Sequence, residues 1–157
     1  MTNAADARTV HIEPVACTDK EVLRRLVEFY TYDYSEYMGW DVDAHGAFGY
    51  RYLDHYWTDP DRHPFFIRVD GQLAGFALVR SGAPHDMAEF FVMRKYRRAG
   101  VATEAARMVF AHFPGTWEVR QLAANVAGTA FWRSAIPVAF VEEVHDGRPI
   151  QRFTIET

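Results

Sequence analysis

The most informative segment of the chain is Met87-Ala88-Glu89-Phe90-Phe91-Val92-Met93-Arg94-Lys95-Tyr96-Arg97-Arg98-Ala99-Gly100-Val101-Ala102-Thr103, which reads as an apolar strand, a basic turn and the start of a helix. The first amides of a helix have no partner within it, and the positive end of the helix dipole points at whatever lies in front of them. Gly100 and Ala102 leave this backbone unshielded. Four basic side chains precede them: Arg94, Lys95, Arg97 and Arg98. The segment predicts a phosphate-binding turn, with a solvated basic turn that ends in glycine as the alternative.

The segments on either side of this turn predict an α/β domain with a largely antiparallel sheet. Before it, the apolar periodicity indicates a strand over 10–15, a helix over 19–32, a weaker helix that includes Phe48, Tyr52 and Tyr56, and strands over 65–69, 73–79 and 87–93. Asp70-Gly71 suits the two-residue turn of an antiparallel hairpin. After it, we expect a helix over 101–113, a strand over 117–122, a helix over 128–135, and strands over 138–144 and 150–155 joined at Asp146-Gly147.

Composition excludes several classes of protein. With 157 residues, 49% apolar and 24% charged, the chain is typical of a globular domain, and we assign residues 1–157 to one domain. Seventeen basic and 21 acidic side chains give a formal net charge of -4, so we expect neither nucleic acid nor a membrane surface as a partner. Cys17 is the only cysteine, and no apolar run resembles a secretory signal, which favours the cytoplasm. The seven histidines form no ligand pair, so we expect no metal.

Two motifs resemble those of the GNAT superfamily of N-acetyltransferases. The pattern Arg97-x-x-Gly100-x-Ala102 is similar to the acetyl-CoA pyrophosphate loop of that family. Asn125-Val126-Ala127-Gly128-Thr129-Ala130-Phe131-Trp132 resembles its second signature, and the predicted order of elements also fits. The resemblance covers most of the chain. It implies a single domain whose mostly antiparallel mixed sheet splays apart between its fourth and fifth strands, with about four flanking helices.

The resemblance implies acetyl-CoA as co-substrate, held in the gap between those two strands. Unpaired backbone groups of the fourth strand would bind the pantetheine arm, and the Val92 amide would also face the thioester carbonyl as an oxyanion donor. Asn125 would hold the cofactor from the opposite strand. The cofactor-binding residues implied in this way are Phe91, Val92, Met93, Arg97, Arg98, Ala99, Gly100, Val101, Ala102, Thr103, Asn125, Phe131 and Trp132.

An alkyl amine is protonated at neutral pH, so an acceptor amine needs a base. The candidates are Asp86, Glu89 and Glu118. The run from Glu89 to Met93 looks like the fourth strand of the diamine acetyltransferases, but Ala88 stands where their base glutamate would be. Strand alternation predicts Asp86, Ala88 and Val92 on one face, which Glu89 joins only through a bulge. For each carboxylate, a solvated or salt-bridged surface position is the alternative interpretation.

The leaving thiolate and the acceptor raise separate questions. Many relatives protonate the thiolate with a tyrosine where this chain has Trp132; here Tyr30, Tyr32, Tyr34 or Tyr37 could supply the proton, or the thiolate could leave more slowly without an acid. The aromatic and acidic segment after the first helix favours a cationic acceptor, either a small basic amine or a lysine-like protein side chain. The substrate-binding candidates are Tyr30, Asp33, Tyr34, Tyr37 and Trp40. The alternative is that these aromatic residues only cover the core.

Two functions fit the sequence. The first is an acetyl-CoA-dependent N-acetyltransferase that works by direct attack in a ternary complex. The second is an acetyl-CoA-binding sensor or interaction domain with little turnover, because Ala88 and Trp132 stand where relatives carry catalytic groups. By analogy with such folds, a homodimer is the oligomer to test for.

Overall fold

The computed structural model describes residues 8–157. Its seven-stranded sheet has the order β1-β2-β3-β4-β5-β7-β6, with β4 and β5 parallel and the other neighbours antiparallel. The strands are β1 Val10–Pro14, β2 Arg62–Val69, β3 Gln72–Arg80, β4 His85–Val92, β5 Gly115–Arg120, β6 Val141–His145 and β7 Arg148–Ile155. The helices are α1 Lys20–Met38, α2 His55–Thr58, α3 Val101–His112 and α4 Val126–Ala135. The predicted fold class, an open and mostly antiparallel sheet with about four helices, is confirmed.

Helices cover both faces of the sheet. On one face α1 packs Leu23, Leu26 and Val27 against Phe66 and Phe76 of β2 and β3. On the other face, a second core cluster joins Val109 and Phe110 of α3 and Trp132 of α4 to Trp117 of β5. Each helix buries the apolar stripe that its sequence displays.

The two predicted hairpin turns have the expected backbone. Asp70 and Gly71 have φ angles of 49° and 80°, and Val69 pairs with Gln72 across them. Asp146 and Gly147, with φ angles of 52° and 76°, join β6 to β7 in the same way. Positive φ at both central residues is the geometry of the two-residue turn that matches the twist of a hairpin.

Two helices differ from the sequence prediction. Helix α1 continues to Met38 and ends at Gly39, whose φ is 68°, so the aromatic and acidic segment is mostly helical. The predicted second helix is reduced to the four residues of α2. Gly46 and Gly49 have φ angles of 76° and 74°, which a right-handed helix does not allow. The Glu28 carboxylate instead accepts hydrogen bonds from the amides of Phe48 and Gly49, at 2.9 and 3.0 Å.

Strands β4 and β5 separate soon after they begin. They pair only where His85 faces Trp117 and Asp86 faces Glu118. From there β5 follows β7, with which it pairs at six positions. The predicted gap between the fourth and fifth strands is confirmed.

A bulge at Ala88 changes which residues of β4 share a face. Glu89 pairs with Leu78 and Met87 pairs with Val79, so Ala88 is the extra residue. Phe91 then packs among the α1 residues, whereas Val92 packs among residues of α3. The expectation that Asp86 and Val92 lie on one face is wrong, because the bulge shifts the alternation and brings Glu89 to the side of Asp86.

We predict that Gly75→Ala destabilises the protein strongly. A Cβ at this β3 residue would lie 1.9 Å from the carbonyl oxygen of Phe91, a backbone atom of β4 that cannot move aside alone. Overpacking of this kind costs about 1–3 kcal/mol or more, and urea unfolding would measure the loss. Gly82→Ala is the control, because its Cβ would come no closer than 3.3 Å to another atom. Equal midpoints for the two variants would contradict the close approach of β3 to β4.

Candidate active site

A cavity of about 600 Å³ lies on the α1 side of the sheet, where β4 and β5 separate. Tyr30 and Tyr34 of α1 form one wall, and the turns over 48–52 form another. Asp86 and Glu89 of β4 also face this space, as do Arg120 and the residues that follow β5. The volume is within the range of small-molecule sites. Aromatic, acidic and basic side chains therefore meet in one concave space.

Glu89 is a partly buried carboxyl group in the wall of this cavity. The Tyr30 hydroxyl donates a hydrogen bond to its carboxylate. Burial raises the pKa of Glu89 to about 7, helped by the nearby Asp86 and opposed by the hydrogen bonds from Tyr30 and Tyr50. A carboxyl group that titrates near neutral pH can accept a proton from a bound molecule under ordinary conditions.

The other two carboxyl groups have different surroundings. Burial raises the pKa of Asp86, and this effect is opposed by Arg120 and Arg80. Glu118 accepts hydrogen bonds from Arg152 at 2.8 Å and from Arg120 at 3.0 Å. Arg152 in particular lowers the pKa of Glu118, which makes that carboxylate a weaker base than Glu89.

A polar contact joins α1 to the start of α4 beside the cavity. The rings of Tyr30 and Tyr34 lie 4.7 Å apart, and the Tyr34 hydroxyl accepts a hydrogen bond from Asn125 Nδ2 at 3.3 Å. Asn125 Oδ1 in turn accepts the Gly128 amide of α4 at 3.0 Å. A Cβ at Gly128 would lie 2.4 Å from the Asn125 side chain, so this packing requires glycine. Burial raises the pKa of both Tyr30 and Tyr34, so both hydroxyls keep their protons at neutral pH.

The predicted acceptor residues divide into two groups. Tyr30, Tyr34 and Trp40 line the cavity. Asp33 instead accepts hydrogen bonds from Arg94 and Arg97, both at 3.0 Å, and so connects α1 to the basic turn. Tyr37 packs its ring 6.1 Å from that of Tyr34 and is partly exposed.

The basic turn after β4 consists of a short 3-10 turn, Arg94–Tyr96, followed by an exposed loop. The Arg97 Nε donates to the Val92 carbonyl oxygen at 2.7 Å, so this side chain fastens the loop to the end of β4. Arg98 and Gly100 have φ angles of 65° and 78°, and α3 begins at the next residue, Val101. The amides of Val101, Ala102 and Thr103 form the first turn of α3, where helix amides have no partner within the helix.

Two further features lie near this turn. A Cβ at Gly100 would lie 3.1 Å from the guanidinium of Arg8, so a cation sits directly beside the glycine. The Met93 amide donates to the Ala74 carbonyl oxygen of β3 at 2.8 Å. Because neighbouring residues of an antiparallel strand direct their backbone groups to opposite sides, the Val92 amide points away from β3, toward the gap.

The aromatic pair of the Asn125 motif lies mostly in the core. Trp132 is 8% exposed, and its ring lies 5.1 Å from that of Phe90. Phe131 stacks on Phe90 at 5.9 Å and is partly buried. Both rings thus pack on the side of β4 opposite to the cavity.

Several residues of the site were missed by the sequence analysis. Tyr50 and Arg51 belong to the segment that the periodicity assigned to a helix, and Arg148 precedes Pro149 in a hairpin. Arg8 is far in sequence from the turn that it approaches. Gly49, which adopts a positive φ, lies beside Phe48 in the predicted second helix. This glycine was the one local signal in the sequence that the predicted helix was too long.

Comparison with known proteins identifies the family. Residues 20–135 match the family described as the Acetyltransferase (GNAT) family, and the chain belongs to it. The protein is therefore an acyltransferase of the N-acetyltransferase class, as the two motifs predicted. Among curated proteins, none matches this chain.

Solved structures with the same fold include three from distant organisms. An acetyltransferase from Thermus thermophilus is 16% identical with a TM-score of 0.72, covering 94% of this chain and 97% of that one. The ribosomal-protein-S18-alanine N-acetyltransferase from Escherichia coli is 15% identical with a TM-score of 0.65, covering 95% and 96%. The PaiA N-acetyltransferase from Thermoplasma acidophilum, in complex with coenzyme A, is 13% identical with a TM-score of 0.62, covering 93% and 99%. At these identities the likeness is one of fold.

Residues 8–157 contain neither a membrane-spanning helix nor a cluster of metal ligands. Within that range, no helix is both long and apolar enough to cross a membrane. The same residues bring together no group of three or more His, Cys, Asp or Glu side chains that could hold a metal ion.

We predict that Glu89→Gln is more stable than the parent above neutral pH. Because the pKa of Glu89 rises from 4.5 to about 7 on folding, the folded state holds the extra proton between these values, and the parent loses stability as pH rises through them. The difference approaches about 3 kcal/mol at pH 8 and vanishes near pH 4. Urea unfolding at both pH values would measure it.

Glu118→Gln is the matched control, for which we expect a change in stability of the opposite sign. Because Arg152 lowers the pKa of Glu118 in the folded state, its carboxylate stabilises the fold above its unfolded pKa and less as pH falls. This variant should be less stable than the parent at pH 8, and the difference should shrink in acid. A Glu89→Gln difference that does not change with pH would contradict the burial of an ionisable Glu89.

Proposed function

We propose that this protein transfers the acetyl group of acetyl-CoA to a primary amine, a small basic amine or a lysine-like side chain, by direct attack in a ternary complex. The observation that carries the proposal is Glu89, which the bulge at Ala88 turns into the cavity beside the gap between β4 and β5. Family membership supports acetyl transfer in general. The neighbour from Escherichia coli is a ribosomal-protein-S18-alanine N-acetyltransferase and the one from Thermoplasma acidophilum holds coenzyme A, which agrees with an amine acceptor and this co-substrate.

The residues around the gap fit acetyl-CoA. The pyrophosphate would lie against the exposed loop Arg97, Arg98, Ala99 and Gly100 and the first turn of α3, where Gly100 presents no side chain. Arg8 would add positive charge there. The pantetheine arm would run along Phe91, Val92 and Met93, on the edge of β4 that β5 leaves free, with Asn125 opposite. The co-substrate supplies a thioester, whose carbonyl oxygen the Val92 amide would face.

Glu89 would act as the base. An alkylammonium group has a pKa near 10.4, so the acceptor must lose a proton before its nitrogen can attack. In our proposal the Glu89 carboxylate takes this proton, the nitrogen bonds to the acetyl carbon, and the bond from that carbon to sulfur breaks. The nitrogen then gives up a second proton, which balances the proton that the departing thiolate takes up. Asp86, close enough to raise the pKa of Glu89, would keep that carboxylate a stronger base at neutral pH.

The departing thiolate needs a proton, and Tyr34 is the best placed of the candidate tyrosines to give it. Its hydroxyl is protonated at neutral pH and touches Asn125, at the start of α4. The Tyr30 hydroxyl, by contrast, already donates a hydrogen bond to Glu89. Trp132, which stands at the family position for this role, lies in the core. A thiol of pKa about 8.5 is a tolerable leaving group, so Tyr34 would accelerate the reaction without being indispensable.

We expect Glu89→Gln to lower kcat by about 10²–10⁴ while the affinity for acetyl-CoA changes little, because the amide cannot take a proton. Release of free thiol from acetyl-CoA with a panel of amines would measure the rate, and calorimetry the affinity. In the parent, kcat should rise with pH through about 7, the pKa of Glu89, and the variant should lack this step. Glu21→Gln, in an exposed ion pair with Arg24 on α1, is the control. Parental turnover by Glu89→Gln would exclude Glu89 as the base.

We expect Gly100→Asp to weaken acetyl-CoA binding at least tenfold, because a side chain and a negative charge would occupy the place of the pyrophosphate. Gly71→Asp is a matched control, since Gly71 also has a positive φ, 80° against 78°, but lies in the β2-β3 turn. Calorimetric titration of both variants with acetyl-CoA distinguishes an effect of the loop position from a general effect of backbone strain at a positive φ. If both variants bind acetyl-CoA as tightly as the parent, the loop around Gly100 does not bind the pyrophosphate.

A further inference from the structure

The cavity wall carries two arginines that have no carboxylate partner in the described part of the chain. Arg51 follows Tyr50 in the turns over 48–52, and Arg148 is the first residue of β7. Within residues 8–157, neither guanidinium lies within 4.0 Å of a carboxylate oxygen. Arg120, the third arginine of the wall, is already held by Glu118 at 3.0 Å. Two segments that are distant in sequence therefore each contribute an unpaired cation to the same cavity.

The acidic residues of the wall do not neutralise these two cations. Asp86 and Glu89 are set into β4, and burial raises the pKa of both carboxyl groups. Asp41 is the one exposed carboxylate among the residues that line the cavity. Among residues 8–157, the exposed part of the wall thus has two guanidinium groups without a carboxylate partner against one carboxylate, whereas the part beside the gap has the two partly buried acids.

Arg51 is also held in position by its neighbour. Its guanidinium carbon lies 5.5 Å from the centre of the Tyr52 ring, a cation–π contact that restricts the side chain. Tyr52 itself lines the cavity. A guanidinium with a restricted orientation loses less conformational freedom when it binds a planar anion such as a carboxylate, which it can hold by two hydrogen bonds.

We propose that the acceptor carries an anionic group, most simply a carboxylate, on the same small molecule as its amine. The amine would lie at Glu89, and the anion at Arg51 and Arg148. This inference rests on the proposed function and adds to it the class of acceptor, an amino-acid-like amine. The volume of about 600 Å³ suits such a molecule, and the rings of Trp40 and Phe48 in the wall would pack against its carbon skeleton.

The test compares acceptors that differ only in the anion. Three matched sets are phenylalanine, its amide and phenethylamine; lysine, its amide and cadaverine; and phosphoethanolamine with ethanolamine. The measurement is kcat/KM for thiol release at saturating acetyl-CoA. We expect the carboxylate members to exceed their matched amide and amine by at least about tenfold, as charge-assisted hydrogen bonds allow. A preference confined to phosphoethanolamine would identify phosphate as the anion.

Variants then assign the preference to the two arginines. Arg51→Gln and Arg148→Gln should each reduce the ratio between anionic and neutral acceptors, mainly through KM. Arg25→Gln, at an exposed position of α1 outside the cavity, should keep the parental ratio. A ratio that survives in the double variant of Arg51 and Arg148 would overturn the assignment.

The outcomes separate this inference from the function on which it rests. Amines that are acetylated equally well with and without an anion would overturn the inference and leave the proposed function intact. If the protein binds acetyl-CoA but no amine of the panel causes thiol release, the proposed function is overturned, and the inference with it.

Discussion

Strands β4 and β5 share only two paired positions, and the rest of the site depends on their separation beyond Asp86 and Glu118. Two parallel strands that stay paired would satisfy each other's backbone groups and leave no room between them. Because β5 turns to follow β7, the far part of β4 keeps a free edge. The cavity on the α1 side and the proposed path for acetyl-CoA both lie along this edge. The separation of two strands, rather than a particular side chain, thus creates the cavity of this acetyltransferase.

The proposed chemistry also requires a carboxyl group, Glu89, whose ionised form costs the folded protein free energy. Burial makes ionised Glu89 unfavourable, and the Tyr30 hydroxyl offsets only part of that cost. The bulge at Ala88 determines that this side chain faces α1, since regular alternation would point it to the opposite side. A destabilised carboxylate in a cavity is what a proton acceptor near neutral pH requires. Stability and the proposed chemistry therefore make opposite demands on Glu89.

Helix α1 connects the two parts of the site. Its Tyr30 and Tyr34 reach Glu89 and Asn125, and its Asp33 holds Arg94 and Arg97 of the basic turn. The proposed acceptor cavity and the proposed cofactor turn thus share one rigid element. The aromatic and acidic segment, in which the sequence predicts acceptor-binding residues, also contacts residues on both sides of the gap in the folded protein.

Local patterns determined much of this protein. The hairpins at Asp70-Gly71 and Asp146-Gly147, the strand before Arg94 and the helix after Gly100 follow from contacts between neighbours in sequence, which the residues display directly. Tertiary structure alone decided that Asp33 binds the basic turn, that Trp132 lies in the core and that Arg51 and Arg148 line one cavity. The bulge at Ala88 belongs to the same group, because it depends on the register against β3. Periodicity reports which face of an element is apolar, whereas partners distant in sequence are chosen by the packing of whole elements.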